Sequence, residues 1–272
     1  DHYHRCFVEK SLRKSKRSRL VVANHAVVMI QAALASPADQ LPERYVFDEG
    51  HHLFDAADSA FSSHLTGREA YDLRRWLIGA GTSASGSKSR ARGLKRRLED
   101  LVAGDQEAET LLEEILSVAR ALPDENWRKR LKGGEAHGPC ESFLKFVYKQ
   151  VWVRGQGRNS PYSMETPSFP VIDGLLDESR KLKTALKRLS DPMTRLGALL
   201  EHRLSNDDGE MAADTRKRLD AVIQMLVRKT RTVIIPWMDM LETLENGETP
   251  ERFVDWMEIE RIEGRMIDVG MY

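Results

Sequence analysis

Asp48 and Glu49 stand where the short apolar run Tyr45-Val46-Phe47 ends, and Gly50-His51 follow directly. Two adjacent carboxylates delivered by a strand tip suit phosphoryl chemistry. The first helps hold a Mg²⁺ ion bridging terminal phosphates, and the second orients the attacking water. Placement at the carboxyl end of a strand aims both into the crevice where α/β sheets bind nucleotides. Asp-Glu after a strand also occurs as a plain solvated turn, so the surrounding sequence has to separate the two readings.

That surrounding sequence is informative. Leu20-Val21-Val22-Ala23-Asn24-His25-Ala26 precedes the box, and a basic stretch opened by Cys6-Phe7 precedes that. The order Cys6-Phe7, Val22-Ala23-Asn24-His25-Ala26, Phe47-Asp48-Glu49-Gly50-His51 resembles the DinG/XPD family of iron–sulfur superfamily-2 DNA helicases over about residues 5–60. Gly50 replaces the usual Ala of that family's box. The resemblance implies that Asp48 helps hold Mg²⁺, Glu49 positions water, and His51 couples the ATP state to a neighbouring motor domain. It also implies that Cys6 is the fourth cysteine of a [4Fe-4S] cluster; a free terminal thiol is the bland alternative. Such a cluster takes four thiolates, and the chain has two cysteines, Cys6 and Cys140. The fragment alone therefore cannot hold it. Starting inside a motif and stopping after a strand-like run, the chain reads as an internal piece of a longer protein.

The resemblance further implies ATP, single-stranded DNA and duplex junctions as ligands of that longer protein, 5′→3′ translocation, a role in repair or replication, and a cytoplasmic, nucleoid-associated location. Gly81 to Ser89 imitates a phosphate-binding loop, but Ser87 separates Gly86 from Lys88 and a helix precedes it, so the Walker A requirement fails. The fragment alone is thus expected to be inactive as an ATPase. For DNA contact the candidates are Arg96 and Arg97 in the basic Ser87–Arg97 stretch, and Lys145, Lys149 and Trp152 in a segment that interleaves cations with aromatics. That mixture suits backbone contact plus base stacking. A solvated helix face with its aromatics in the core remains the alternative for each.

The elements that must position these groups follow from periodicity. Leu20 to Ala23 and Tyr45 to Phe47 read as short strands of a parallel sheet, buried on both faces, with a helix over Ala26–Ala35 between them; parallel pairing of Val21 with Val46 is required. Beyond about Thr66 the apolar spacing becomes helical. Residues 172–204 and 211–244 predict two long helices joined by a polar turn, with a kink or restart at Pro192 and a kink at Pro236. Residues 132–140 and 154–170 read as loops, and Phe253–Ile259 with Met266–Val269 as a hairpin across Glu263-Gly264.

The expected fold is mostly α with a small α/β part, a helical Arch-like insertion in a partial RecA-like parallel sheet. Three parts are expected: 1–65, the end of the iron–sulfur region and part of the first motor domain; 66–250, the Arch-like domain; 251–272, return strands. Composition agrees with a packed core under a charged surface, at 41% hydrophobic and 31% charged residues with net charge +0. No apolar run approaches the roughly 20 residues of a membrane span, and no membrane partner is expected. Two other function classes fit some residues. A metal-dependent phosphohydrolase would use His51, His52, Asp55 and His64, and a non-catalytic interaction module would expose an apolar groove along residues 172–245.

Overall fold

The computed structural model describes residues 7–15, 17–34, 41–79, 93–155, 161–207, 211–251 and 253–272. The chain divides at Ser62/Ser63 into two units. It is mostly helical with one small four-stranded antiparallel sheet.

The first unit carries α1 (Phe7–Ser15), α2 (His25–Leu34) and α3 (His52–Phe61). Asn24 starts α2 as its N-cap: its Oδ1 accepts from Val27 N at 2.9 Å, satisfying a donor the helix cannot. α2 and α3 pack on one another. The two segments expected as parallel strands lie outside any ladder, so the Val21–Val46 pairing does not form. Val22 is 94% and Val46 99% exposed. Short strands gain stability only beside further strands and a covering layer, and the described residues of this unit supply neither.

The second unit holds β1 (Leu65–Thr66), α4 (Gly67–Ile78), α5 (Leu94–Leu98), α6 (Gln106–Val118), α7 (Trp127–Gly133), α8 (Gly138–Arg154) and β2 (Met164–Pro167). It continues with α9 (Leu175–Ser205), α10 (Ala213–Lys229), α11 (Ile235–Asn246), β3 (Trp256–Ile262) and β4 (Arg265–Met271). α9 is the spine. Leu182, Leu186, Leu189, Met193, Leu196 and Leu200 form its buried stripe, which packs against α6, α8, α10 and α11. Burying each such leucine contributes roughly 1.5–3 kcal/mol. The apolar face expected to stay open in an interaction module is therefore the core itself.

The two prolines are accommodated in different ways. Pro192 lies buried inside α9, which does not restart there. Ahead of Pro236 the chain widens into a π-turn, Thr230–Ile234, and Ile235 N–H donates to Thr230 O. That extra residue in the turn accommodates a ring that would crowd the preceding turn of an α-helix. Two expected loops also hold structure. The end of α7 and the start of α8 fall within 132–140, and β2 falls within 154–170. Buried Gln150 secures the stretch after β2: its Nε2 donates to Ser168 O at 2.7 Å and its Oε1 accepts from Ile172 N at 3.1 Å.

The sheet order is β1-β4-β3-β2, all antiparallel. The expected hairpin forms with Ile262 opposite Arg265. Glu263 (φ 51°) and Gly264 (φ 75°) are both left-handed, as a two-residue type I′ turn demands. α8 covers one face of the sheet, where Met257 and Ile259 are buried.

Candidate functional site

The Asp48–His51 box is a turn leading from Phe47 into α3. Asp48 Oδ1 accepts from Glu49 N at 3.0 Å. Glu49 itself takes φ 50°, a conformation that costs an L-residue about 1 kcal/mol. The turn closes by His52 N to Glu49 O at 3.0 Å and Leu53 N to Gly50 O at 3.1 Å. His51 Nδ1 lies 3.4 Å from Glu49 Oε2. All four residues of the box are exposed. Space around Gly50 is open, since a Cβ there would meet nothing within 4 Å; the strained position is Glu49.

The Asn24-His25 dipeptide comes to this turn. The His25 ring stacks on Phe47 with centroids 5.8 Å apart, and Phe47 stacks on Tyr45 at 6.0 Å. Two motifs separated in sequence are thus held side by side within one unit, with Asn24 serving as a helix cap and His25 as an aromatic contact. Cys6 lies outside the described residues, as does the Gly81–Ser89 decoy loop. Cys140 is buried and its thiol is pushed up well above the ordinary range by that burial, then by Glu141. It is a packing residue.

The candidate DNA contacts are dispersed. Arg96 and Arg97 are exposed on α5. Lys145 Nζ donates to Gly134 O at 2.9 Å, and Lys149 Nζ sits 4.6 Å over the Phe146 ring. Trp152 is half-buried, stacked on Tyr148 at 5.8 Å and lying under Arg261 at 5.4 Å. Of these, Lys149, Arg96 and Arg97 are the side chains turned to solvent.

Sequence reading missed two clusters. The first is Asp124, His137 and Glu141, whose ligand-type atoms lie within 4.8 Å of one another. A guanidinium already fills it. Arg130 donates to Glu141 Oε2 (2.7 Å) and Oε1 (2.6 Å) and to Asp124 Oδ1. The Arg130–Glu141 hydrogen bond is the main influence raising the Arg130 pKa. His51, His52 and Asp55 form no such grouping among the described residues, and His64 belongs to the second unit.

The second cluster lines a cleft of about 420 Å³ on the sheet face opposite α8: His64, Arg68, Glu69, Glu258, Asp268 and Tyr272. Burial, then the Asp268 charge, pushes Glu69 up to about 7, with Lys229 opposing and Asp72 assisting. Burial likewise raises Asp268 and Glu258 and lowers His64. Tyr272 is raised beyond its ordinary range by burial and by neighbouring carboxylates. Nothing in linear spacing signals this cleft, because its walls come from opposite ends of the unit.

No family model matches the chain. Over 76 residues, 26% of this chain, it is 33% identical to the ATP-dependent DNA helicase YoaA of Haemophilus influenzae. The matched stretch is 12% of that helicase's length. The similarity is therefore to a helicase, and it covers a small part of both proteins.

Proposed function

We propose that this chain is part of an ATP-dependent DNA helicase of the DinG/XPD type, contributing the carboxylate side of an ATP site and a helical Arch-like domain. The observation that carries the reading is the Asp48–His51 turn directly after Phe47, with His25 of the Asn24-His25 dipeptide stacked on Phe47. The partial similarity to a curated helicase supports the same class. So do the exposed apolar side chains of Leu20, Val22 and Val46, which have the composition of strands in a sheet covered on both faces. Pairing of β1 with β4 brings the start and end of the helical unit together, as an insertion returning to its host requires.

Asp48 and Glu49 fit Mg²⁺ and a reacting water: both are exposed, hard oxygen donors at one turn. When bound, the ion neutralises charge on the terminal phosphates. Asp48 would hold it, Glu49 would orient water, and His51, beside Glu49, would relay the state of that carboxylate. The residues present do not fit an iron–sulfur cluster, since Cys140 is buried away in the helical core and the remaining Cys6 is one thiolate of four. Single-stranded DNA is the proposed polymer ligand, with Lys149, Arg96 and Arg97 as solvent-facing cations.

The test is ATP turnover with single-stranded DNA. The protein combining this chain with a phosphate loop should hydrolyse ATP and displace a strand 5′→3′, and Glu49→Gln should abolish both. The 272-residue chain by itself should not turn over ATP, and robust hydrolysis by it would overturn the proposal.

A further inference from the structure

Asp268 performs an unusual task in the second unit. It sits on β4, is 3% exposed, and accepts Arg68 N at 3.0 Å and Val269 N at 2.9 Å through Oδ1. It thus caps the first turn of α4 from the far end of the chain. Thr66 on β1 caps the same turn, accepting Glu69 N at 3.2 Å through Oγ1, and hydrogen-bonds Asp268 as well. Close packing holds the two strands in register. A Cβ at Gly270 would come within 2.6 Å of Thr66 Cγ2. One small knot therefore joins the strand entering the unit to the strand leaving it.

Glu69, whose own backbone N–H is capped by Thr66, brings a second carboxyl group to this knot. Its side chain is 46% exposed, 3.7 Å from His64 Nδ1, and it shares the cleft with Asp268. We propose that Glu69 on α4 and Asp268 on β4 form a proton-operated clasp that holds β1 against β4, closed while Glu69 carries a proton and loosened when both carboxylates are charged. The reading rests on the second unit's geometry and stands apart from the helicase assignment.

The groups facing Glu69 set the direction. Asp268 from β4 and Asp72 from its own helix disfavour its charge, and Lys229 at the end of α10 favours it. Glu258 and Glu260 on β3 and Tyr272 after β4 add further negative or uncharged walls, against Arg68. His64, held neutral by burial, gives little compensation near neutrality. A carboxyl raised in the folded state contributes stability that is complete below its unfolded value, about 4.3, and is lost as pH rises through about 7. The clasp is therefore firmest in mild acid and weakest in mild base. His64 works in the opposite sense at lower pH, because its lowered value penalises protonation of the folded form.

Hydrogen exchange read by mass spectrometry on the 272-residue chain tests this, following peptides over Leu65–Leu73 and Asp268–Met271 and correcting for intrinsic exchange. Between about pH 6 and about pH 8.5 the opening equilibrium should rise several-fold and at most about tenfold, because half-exposure screens part of the effect. Glu69→Gln should remove the rise, and Asp268→Asn should raise opening at both values. Unchanged protection of the wild type, or the same rise in Glu69→Gln, overturns the clasp. A carboxyl ¹³C titration gives a second readout that needs no variant: Glu69 should titrate near 7, and an ordinary midpoint overturns the proposal.

Discussion

Substituting Arg130 by Met removes the cation from a carboxylate that water cannot reach. Glu141 is 0% exposed, and Arg130 supplies it with hydrogen bonds of 2.7 Å and 2.6 Å while itself only 15% exposed. Breaking one side of a buried pair typically costs about 3–5 kcal/mol. Glu141 keeps two backbone donors, His137 N at 3.0 Å and Asp124 N at 3.3 Å, so the lower end, about 3 kcal/mol, is expected. Replacing Glu141 by Met as well removes the stranded charge, and the double variant should recover about 2 kcal/mol relative to the sum of the singles. The assay is urea denaturation followed by tryptophan fluorescence. All five tryptophans, Trp76, Trp127, Trp152, Trp237 and Trp256, lie in the second unit, so the signal reports that unit alone. A cost below about 1 kcal/mol for Arg130→Met, or strictly additive singles, would refute the view that this cluster is a structural ion pair.

Gly67→Ala should destabilise the second unit by about 1–3 kcal/mol, since the new Cβ would lie 2.2 Å from the Trp127 ring; the same fluorescence assay measures it. Asn24→Ala removes the cap on α2 and should cost about 1 kcal/mol of helix stability, visible as lost far-ultraviolet ellipticity on mild heating. Gly50→Ala should leave stability within about 0.5 kcal/mol, because the site is open; a larger loss in chemical denaturation would show that the turn needs glycine. Glu49→Gly should stabilise the turn by relieving its positive φ while removing the carboxylate, so the denaturation midpoint should rise while ATP turnover by the protein combining this chain with a phosphate loop falls.

Local pattern by itself determined the helical run over residues 172–244 of the second unit and its final hairpin. The Leu182–Leu200 spacing marks one face of α9, and Glu263-Gly264 marks a turn that reverses the chain in two residues. Both are consequences of side-chain period and backbone φ preference, which act over a few residues. The box and the Asn24-His25 dipeptide were likewise readable as motifs, though their contact through His25 and Phe47 was not. Tertiary structure alone decided the rest. β1 has two residues and β2 four, too short for any periodicity, and both exist because β4 and β3 offer them ladder partners. Conversely, Leu20–Ala23 and Tyr45–Phe47 have strand composition and remain unladdered, because strand pairing depends on neighbours rather than on propensity. The Arg130 cluster and the Glu69–Asp268 cleft follow the same rule. Burial shifts a carboxylate or strands a charge only once distant segments have closed around it, and no spacing along the chain records which segments those are.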